Sequence, residues 1–288
     1  MADKAILYDA SKCTACRGCQ VMCKQWNEND EVIPTEENGV DSRNWGSYEN
    51  PKDLSPTTWL KMRFTEVEEN GQMRWLFTRQ ACMHCTDAGC VQVCPNGSLY
   101  HNDLGFVAYN KDTCTGCGYC IDACPFGIPR SDRNLLTGIA KMDKCTACTS
   151  QGYNRIEATA AEADAMYESW KGELIPACVK ACPPGALKYG YRDTLVAEGR
   201  ARVDYLKSQG RGNATLYGEN ELGGLHVMYV LEDSPDVYGL PVSPSISAAT
   251  IAWKDVIQPV GWAVGGLAIV GLGLNWLVAR ANINKEAK

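Results

Sequence analysis

The sequence lacks the motifs by which a chain would bind and convert a substrate on its own. It holds no glycine-rich nucleotide loop after a strand, no flavin or pterin signature, and no recognisable triad of nucleophile and base. Only three of its 288 residues are histidines, and none lies in the one long apolar run, so that run contains no usual haem ligand. These absences argue against a catalytic centre on this chain, and any haem must belong to a partner.

An excess of positive charge is also missing. The 28 Lys and Arg residues are outnumbered by 34 Asp and Glu, which gives a formal net charge of -6. Binding to a nucleic acid requires clustered Lys and Arg that neutralise phosphates. The sequence therefore predicts no nucleic-acid partner.

The first residues, "MADKAILYDASKC", contain no apolar run of the kind found in a signal peptide. The chain has sixteen cysteines, and an even number also suits a secreted scaffold held by disulfides. Such scaffolds are usually short chains behind a signal peptide. We therefore interpret the cysteines as ligands of cofactors.

The cysteines form an internal repeat of four groups with none left over. The groups are Cys13, Cys16, Cys19, Cys23; Cys82, Cys85, Cys90, Cys94; Cys114, Cys117, Cys120, Cys124; and Cys145, Cys148, Cys178, Cys182. The first and third groups have the C-x2-C-x2-C-x3-C spacing of bacterial ferredoxins, in which the fourth cysteine binds the other cluster of a pair. A structural zinc site instead uses two cysteine pairs set well apart, and a colourless preparation would favour that alternative. Sixteen thiolates predict four [4Fe-4S] clusters.

The spacing of the groups predicts which cysteines share a cluster. Nineteen residues (95 to 113) separate the second group from the third, the layout of a compact two-cluster ferredoxin, so the first and fourth groups form the other pair. Exchange of the fourth ligand then gives four ligand sets. We name them set 1 (Cys13, Cys16, Cys19, Cys182), set 2 (Cys23, Cys145, Cys148, Cys178), set 3 (Cys82, Cys85, Cys90, Cys124) and set 4 (Cys94, Cys114, Cys117, Cys120).

The predicted fold class is α+β, with two interlocked ferredoxin-like units, each holding two [4Fe-4S] clusters, and one C-terminal transmembrane helix. Short strands and hairpins are expected at 59–80 and 98–109, edge strands at 5–8 and 186–190, a further strand at 224–232, and helices at 156–173 and 193–207. The predicted domains are 1–80 with 131–192 (the split unit), 81–130 (the inserted unit), 193–247 (a helical and extended part with a linker), 254–280 (the transmembrane helix) and 281–288 (the tail).

One C-terminal segment is suited to a membrane. From Val256 to Ala279, twenty-four residues run without a charge, enough for a helix to cross a hydrocarbon core of about 30 Å. A buried helix of a soluble protein is the alternative. The tail carries Arg280, Lys285 and Lys288, so the positive-inside rule places the C-terminus in the cytoplasm and the cluster domain in the periplasm or its equivalent. Export would then occur in the folded state, with a partner that bears a twin-arginine signal.

Four stretches together resemble the beta, or iron-sulfur, subunit of membrane-bound respiratory formate dehydrogenases of the nitrate-inducible type. They are "CMHCTDAGCVQVCP", "CTGCGYCIDACPFGIPR", "ENPKDLSPTTWLKMRFTEVE" and "GGLHVMYVLEDSPDVYGLPVSPSIS", and the last two contain no cysteine. The likeness covers nearly the whole chain. It departs at residues 149 to 177, where twenty-nine residues separate the second and third cysteines of the fourth group.

The resemblance implies that this chain passes electrons through its clusters between two partners in the inner membrane. One partner is a catalytic alpha subunit with a molybdenum or tungsten bis-pterin cofactor, which oxidises formate. The other is a cytochrome b gamma subunit, which carries the haem and reduces quinone. The alternatives are the iron-sulfur subunit of a sulfoxide, polysulfide or nitrate reductase or of a membrane hydrogenase, or a polyferredoxin without a fixed partner.

Overall fold

The computed structural model describes residues 3–29, 48–69, 71–131, 140–149 and 175–286. Contacts divide the chain into two compact units, Met1–Ser245 and Ile246–Lys288. The first unit contains all sixteen cysteines, and its described residues mix short strands with short helices, as an α+β chain does. The helix predicted at 156–173 lies outside the described residues.

The elements follow one another in a simple order along the chain. The strands are β1 Lys4–Asp9, β2 Lys61–Glu69, β3 Gln72–Gln80, β4 Leu99–His101, β5 Val107–Tyr109, β6 Arg130–Ser131, β7 Met142–Asp143, β8 Leu187–Tyr191, β9 Thr215–Tyr217 and β10 Val227–Leu231. The helices are α1 Gly18–Trp26, α2 Gly89–Gln92, α3 Tyr119–Asp122, α4 Ala177–Lys180, α5 Arg192–Ser208, α6 Ala248–Ala252 and α7 Gln258–Glu286.

A four-stranded sheet in the order β8-β1-β10-β9 organises the first unit. Strand β1 is parallel to β10 and antiparallel to β8, and all six of its residues are buried. The prediction of an edge strand at 5–8 was therefore wrong, because β10, which is distant in sequence, pairs with its second side. Strand β8 does lie at the edge of the sheet, as predicted.

The two faces of this sheet pack against different partners. On one face, Ala5 and Leu7 of β1 meet Leu195, Val203 and Leu206 of α5. These three positions of α5 are buried, as their helical spacing predicted. Burial of each such side chain contributes about 1.5–3 kcal/mol. The sequence favours Asp193 as the N-cap, but the helix begins at Arg192, so Asp193 lies in its first turn.

The opposite face of the sheet carries the cysteines. Strand residues alternate sides, so Ile6 and Tyr8 of β1 point away from α5 and join a core that includes Cys19, Cys23, Cys145 and many others. The hairpin of β2 and β3 covers this core, with Glu69 opposite Gln72 across a two-residue turn. Gly71 has a φ of +77°, as the predicted tight turn requires. The hairpin of β4 and β5 is also present.

The second unit is helical. Ser247 caps α6 by accepting a hydrogen bond from the amide of Thr250 at 3.2 Å, and a π-helical turn at Trp253–Ile257 leads into α7. Within Gln258–Arg280 of α7, the most apolar window of 18 residues has a mean hydropathy of 1.7, and none of it is buried. This helix is long and apolar enough to cross a membrane.

Candidate iron-sulfur centres

One backbone feature recurs in all four cysteine groups. The residue before the second cysteine has a positive φ in each: Ala15 (51°), His84 (49°), Gly116 (72°) and Ala147 (51°). Residues other than glycine rarely adopt this left-handed conformation. The amide of Ala15 donates a hydrogen bond to Cys13 Sγ at 3.4 Å, and that of Ala147 donates to Cys145 Sγ at 3.4 Å. In these two groups the turn therefore directs a backbone N–H at the first sulfur.

The structure brings distant cysteines together. Burial raises the pKa of the Cys23 thiol well above its usual value, and the neighbouring thiols of Cys145, Cys148 and Cys178 raise it further. Burial also raises the pKa of Cys13, with a contribution from Cys182. Sequence neighbours alone would not bring these thiols together. They are near one another because α1 packs against α4.

The structure also brings together cysteines of the second and third groups. Burial raises the pKa of Cys85, and Cys82, Cys124 and Cys90 contribute to the rise. Burial raises the pKa of Cys120 to about 12, with contributions from Cys117, Cys114 and Cys94. Thiols that the sequence assigns to a common set therefore influence one another, and the membership of the four sets stays a prediction. That iron binds at each of them stays a prediction.

Further contacts connect one set to the next. Burial raises the pKa of Cys19 to about 12, and Cys178 of set 2 adds to the rise. Burial raises the pKa of Cys82 to about 11, and Cys145 of set 2 adds to it. Burial likewise raises the pKa of Cys90, to which Cys120 of set 4 contributes. Electrostatic interactions thus link set 1 to set 2, set 2 to set 3 and set 3 to set 4, and we call this order the row of sets.

Exposure distinguishes the ends of this row from its middle. Of the sixteen cysteines only Cys16 and Cys117 are exposed, and the others are buried or partly buried. Cys16 belongs to set 1 and Cys117 to set 4. The two outer sets thus reach the surface of the chain, whereas every thiol of sets 2 and 3 is covered at least in part.

Five cations lie next to or between the cysteines in sequence and could offset the charge of bound clusters: Lys12, Arg17, Lys24, Lys144 and Lys180. Only Lys144 is buried, at 1 % exposure, and its Nζ donates to the carbonyl oxygens of Val107 and Cys145. The side chain of Lys12 is 42 % exposed and pairs with Asp9. A cation within the core acts at low dielectric, so Lys144 has the strongest effect of the five on nearby thiolates.

One functional residue was missed by the sequence reasoning. Arg79, at the end of β3, is fully buried, and its Nη2 lies 3.9 Å from Cys178 Sγ. Because Arg79 is 99 residues away from Cys178 in sequence, no local pattern connects the two. The local sequence "LFTRQ" gave no signal either, because an arginine beside polar residues at the end of a strand is usually exposed.

The residues of the four sets fit iron-sulfur clusters. A buried thiol with a raised pKa stays protonated unless a cation stabilises its anion, and iron supplies that cation. Thiolate ligands of clusters accept hydrogen bonds from backbone amides. Such donors are present: the amides of Ala15 and Ala147 donate to the sulfurs of Cys13 and Cys145, and the amide of Ser98 donates to Cys94 Sγ at 3.2 Å. Among the described residues, no three His, Cys, Asp or Glu side chains lie close enough to hold one metal ion.

Comparison with known proteins agrees with this chemistry. Two family models, each described as a 4Fe-4S dicluster domain, match residues 73–192 and 12–98. The formate dehydrogenase iron-sulfur subunit of Haemophilus influenzae is 38% identical over 289 residues, which cover 99% of this chain and 83% of the relative.

Two relatives from Escherichia coli strain K12 are similarly close. The nitrate-inducible formate dehydrogenase iron-sulfur subunit is 37% identical over 99% of this chain and 87% of its own length. The formate dehydrogenase-O iron-sulfur subunit is 38% identical over 91% of this chain and 78% of its own length. The chain therefore belongs to the family of formate dehydrogenase iron-sulfur subunits, and it is an electron-transfer subunit with no catalytic domain evident on it.

Proposed function

We propose that this chain conducts electrons through four [4Fe-4S] clusters, from a formate-oxidising catalytic subunit to an acceptor in the membrane. The observation that carries the proposal is the row of four thiol sets, with exposed cysteines only in its two outer sets. A conductor between two proteins needs a site near its surface at each end and a protected path between them. Each cluster, when bound, supplies a one-electron redox couple.

The proposed ligands are those of sets 1 to 4. Set 1 joins Cys19 to Cys182, and set 2 joins Cys23 to Cys145. The first and fourth cysteine groups thereby hold two clusters in common, with the second and third groups inserted between them in sequence. This arrangement is the proposed interlocking of a split ferredoxin-like unit (1–80 with 131–192) with an inserted one (81–130). The predicted C-terminal part 193–247 contributes β9 and β10 to the sheet that contains β1 and β8, and α5 packs against that sheet.

Substitution of single ligands tests this assignment. In Cys23→Ser, we expect the electron paramagnetic resonance (EPR) signal of the cluster bound by Cys145 to change and that of the cluster bound by Cys13 to persist. The matched variant Cys19→Ser should give the reverse result. Loss of the same signal in both variants would show that Cys19 and Cys23 share one cluster, and the exchange of ligands would be wrong.

The proposed partners follow from the names of the relatives and from what this chain lacks. The iron-sulfur subunits of formate dehydrogenases imply a catalytic subunit, which we propose carries a molybdenum or tungsten bis-pterin cofactor. The proposed acceptor is a cytochrome b subunit that reduces quinone, because the apolar segment Gln258–Arg280 has no histidine to bind a haem itself.

The proposed location is the inner membrane, with α7 as a single-pass anchor. The positive charge of Arg280 and the lysines after it favours a cytoplasmic C-terminus at 281–288 and a periplasmic cluster domain. Protease treatment of intact spheroplasts tests the orientation. Digestion of the cluster domain supports it, and full protection until the membrane is permeabilised would show that the domain faces the cytoplasm.

The central experiment is purification of the chain with its partners from membranes. We expect iron and sulfide for four clusters per copy, a copurifying large subunit, and reduction of a dye that depends on formate. A complex that reduces dye with hydrogen or with another substrate, and not with formate, would assign the chain to another oxidoreductase. A colourless chain would contradict the cluster proposal itself.

A further inference from the structure

The residues that follow the fourth cysteine differ between the first group and the other three. In three groups this cysteine begins the sequence C-P-x-G, at Cys94, Cys124 and Cys182. In the first group, Cys23 is followed by "KQWN", with neither the proline nor the glycine. Proline and glycine are the residues that favour a tight turn. The first group therefore departs from the other three at both of the positions that shape a turn.

The C-P-x-G segment provides backbone donors to the cysteine that begins it. The amide of the glycine donates to the carbonyl oxygen of that cysteine in each case: Gly97 to Cys94 at 3.3 Å, Gly127 to Cys124 at 3.0 Å and Gly185 to Cys182 at 3.1 Å. The three glycines have φ between 58° and 62°. In the second group the next amide, that of Ser98, donates to Cys94 Sγ at 3.2 Å. The turn of the second group thus serves both the carbonyl oxygen and the sulfur.

In the first group a side chain reaches the same two atoms. Helix α1 continues past Cys23 and has Asn27 as its C-cap. Asn27 follows Cys23 by four residues, the separation between Cys94 and Ser98 in the second group. The Nδ2 atom of Asn27 donates to the carbonyl oxygen of Cys23 at 2.7 Å and lies 3.8 Å from Cys23 Sγ. One carboxamide therefore replaces two backbone amides.

The orientation of this carboxamide follows from its partners. A carbonyl oxygen can only accept a hydrogen bond, so the NH₂ group of Asn27, and not its oxygen, must face Cys23. The NH₂ group has two hydrogens, which allows it to donate to the carbonyl oxygen and to the sulfur together. Cys23 is 7 % exposed, so water has little access to its sulfur. A thiolate at this position therefore depends on donors from the protein.

We propose that Asn27 is a positioning residue for set 2: its carboxamide donates to the Cys23 thiolate and raises the reduction potential of the cluster that Cys23 binds. Hydrogen bonds withdraw negative charge from the ligand sulfurs, so they favour the reduced form of a cluster, which carries one more negative charge. The inference rests on the proposed function, because it requires Cys23 to bind a cluster.

The test is a redox titration of the complete membrane complex, followed by EPR, with Asn27→Asp and Asn27→Leu. Aspartate has the shape of asparagine but has no N–H to donate, and it places a negative charge beside the thiolate. In Asn27→Asp we expect the equilibrium constant for reduction of one cluster to fall at least tenfold, about 59 mV for a one-electron couple. In Asn27→Leu, which removes the donor without adding a charge, the fall should be about threefold, the contribution of one ordinary hydrogen bond.

The matched control is Asn96→Ala, which removes a carboxamide near a cysteine of another group. Asn96 lies two residues after Cys94, and its Nδ2 donates to the carbonyl oxygen of Thr113 at 3.1 Å. This variant should leave every potential at its wild-type value. The shifted signal is assigned with the two ligand variants described above. It should be the signal that changes in Cys23→Ser and persists in Cys19→Ser.

A conservative variant separates the hydrogen bond to the sulfur from the role of Asn27 at the end of α1. Asn27→Gln retains the carboxamide on a longer side chain, so the potential should lie between those of the wild type and Asn27→Leu. This variant also keeps the test decisive if Asn27→Leu does not assemble, since the glutamine and aspartate variants then give the comparison.

Two results would overturn the role of Asn27. One is a wild-type potential for the cluster of Cys23 in both Asn27→Leu and Asn27→Asp, with full iron content. The other is a shift that is equal in all clusters or largest in the cluster that Cys19 binds. The iron content and the number of signals in the wild-type complex test the four-cluster proposal separately, before any variant is made.

Discussion

The first and third cysteine runs, "KCTACRGCQVMC" and "TCTGCGYCIDAC", share one spacing but continue differently. In the first run, α1 spans nine residues and passes beyond Cys23 to Trp26. In the third run, α3 has only four residues and ends at Asp122, before Cys124 and Pro125. The comparison explains why Lys24 stands where the other groups have proline. A proline there would fall inside a helix, where its missing N–H and its ring are not tolerated.

The backbone before these helices is the same in both runs, although the residues differ. Ala15 and Arg17 have φ of 51° and 60°, and the equivalent Gly116 and Gly118 have φ of 72° and 84°. The loop therefore imposes a left-handed conformation at two positions whichever residues occupy them. Glycine accepts that conformation without cost, whereas alanine and arginine lose about 1–2 kcal/mol.

The largest expected effect comes from giving the first run the proline of the third. Lys24→Pro should destabilise α1 by about 3 kcal/mol, because it removes an amide from the helix interior. At roughly 2–4 °C per kcal/mol, the midpoint for thermal loss of the visible absorption of the clusters should fall by roughly 6–12 °C. The control Pro125→Ala lies beyond the end of α3 and should change the midpoint much less. Equal losses in both variants would contradict the role of helix length.

The second largest loss of stability is expected when Gly116 of the third run is replaced by alanine, the residue of the first run. A methyl group added at Gly116 would lie 2.5 Å from the carbonyl oxygen of Ala140. Gly116→Ala should therefore destabilise the protein by more than about 2 kcal/mol, from the contact and the positive φ together. Cluster content and thermal stability of the purified variant measure it. A variant as stable as wild type would show that the segment at Ala140 moves away freely.

Gly118→Ala should cost less than Gly116→Ala. The same left-handed conformation is required, but nothing lies within 4 Å of a methyl group at this position. Only the cost of the left-handed backbone conformation, about 1 kcal/mol, remains. The difference between the two thermal midpoints separates the steric contribution from the conformational one. If Gly118→Ala proved the more damaging variant, this separation would fail.

The smallest effect is expected for Ala15→Gly, which gives the first run the residue of the third. Glycine relieves the strain of a φ of 51° but makes the unfolded chain more flexible, by amounts of similar size. We expect the stability to change by less than about 0.5 kcal/mol, measured by the same thermal assay. A large loss would indicate that the Ala15 methyl group packs against a neighbour.

Much of the local structure was predictable from the sequence. The hairpin of β2 and β3 followed from Asn70-Gly71 between strand-like segments, and the buried face of α5 followed from helical spacing. The helix α1 was not predicted, because a run of four cysteines has no clear apolar periodicity. The central position of β1 was also missed, since its pairing with β10 joins residues more than 200 positions apart.

The candidate site likewise has features that the sequence predicts and features that depend on tertiary packing. The number of cysteines, their spacing and the choice of iron-sulfur clusters over zinc all depend on short-range chemistry that is written in consecutive residues. The row of sets, its exposed ends at Cys16 and Cys117, and the burial of Arg79 and Lys144 depend on which distant segments pack together.

The sequence by itself thus determined which ligands and which turns this protein has, because coordination spacing and backbone conformation are local properties. Only the tertiary structure decided which distant groups lie beside the thiols. Electrostatic interaction in a core depends on distance through space, and folding places Arg79 beside Cys178 although Cys82 is its neighbour in sequence.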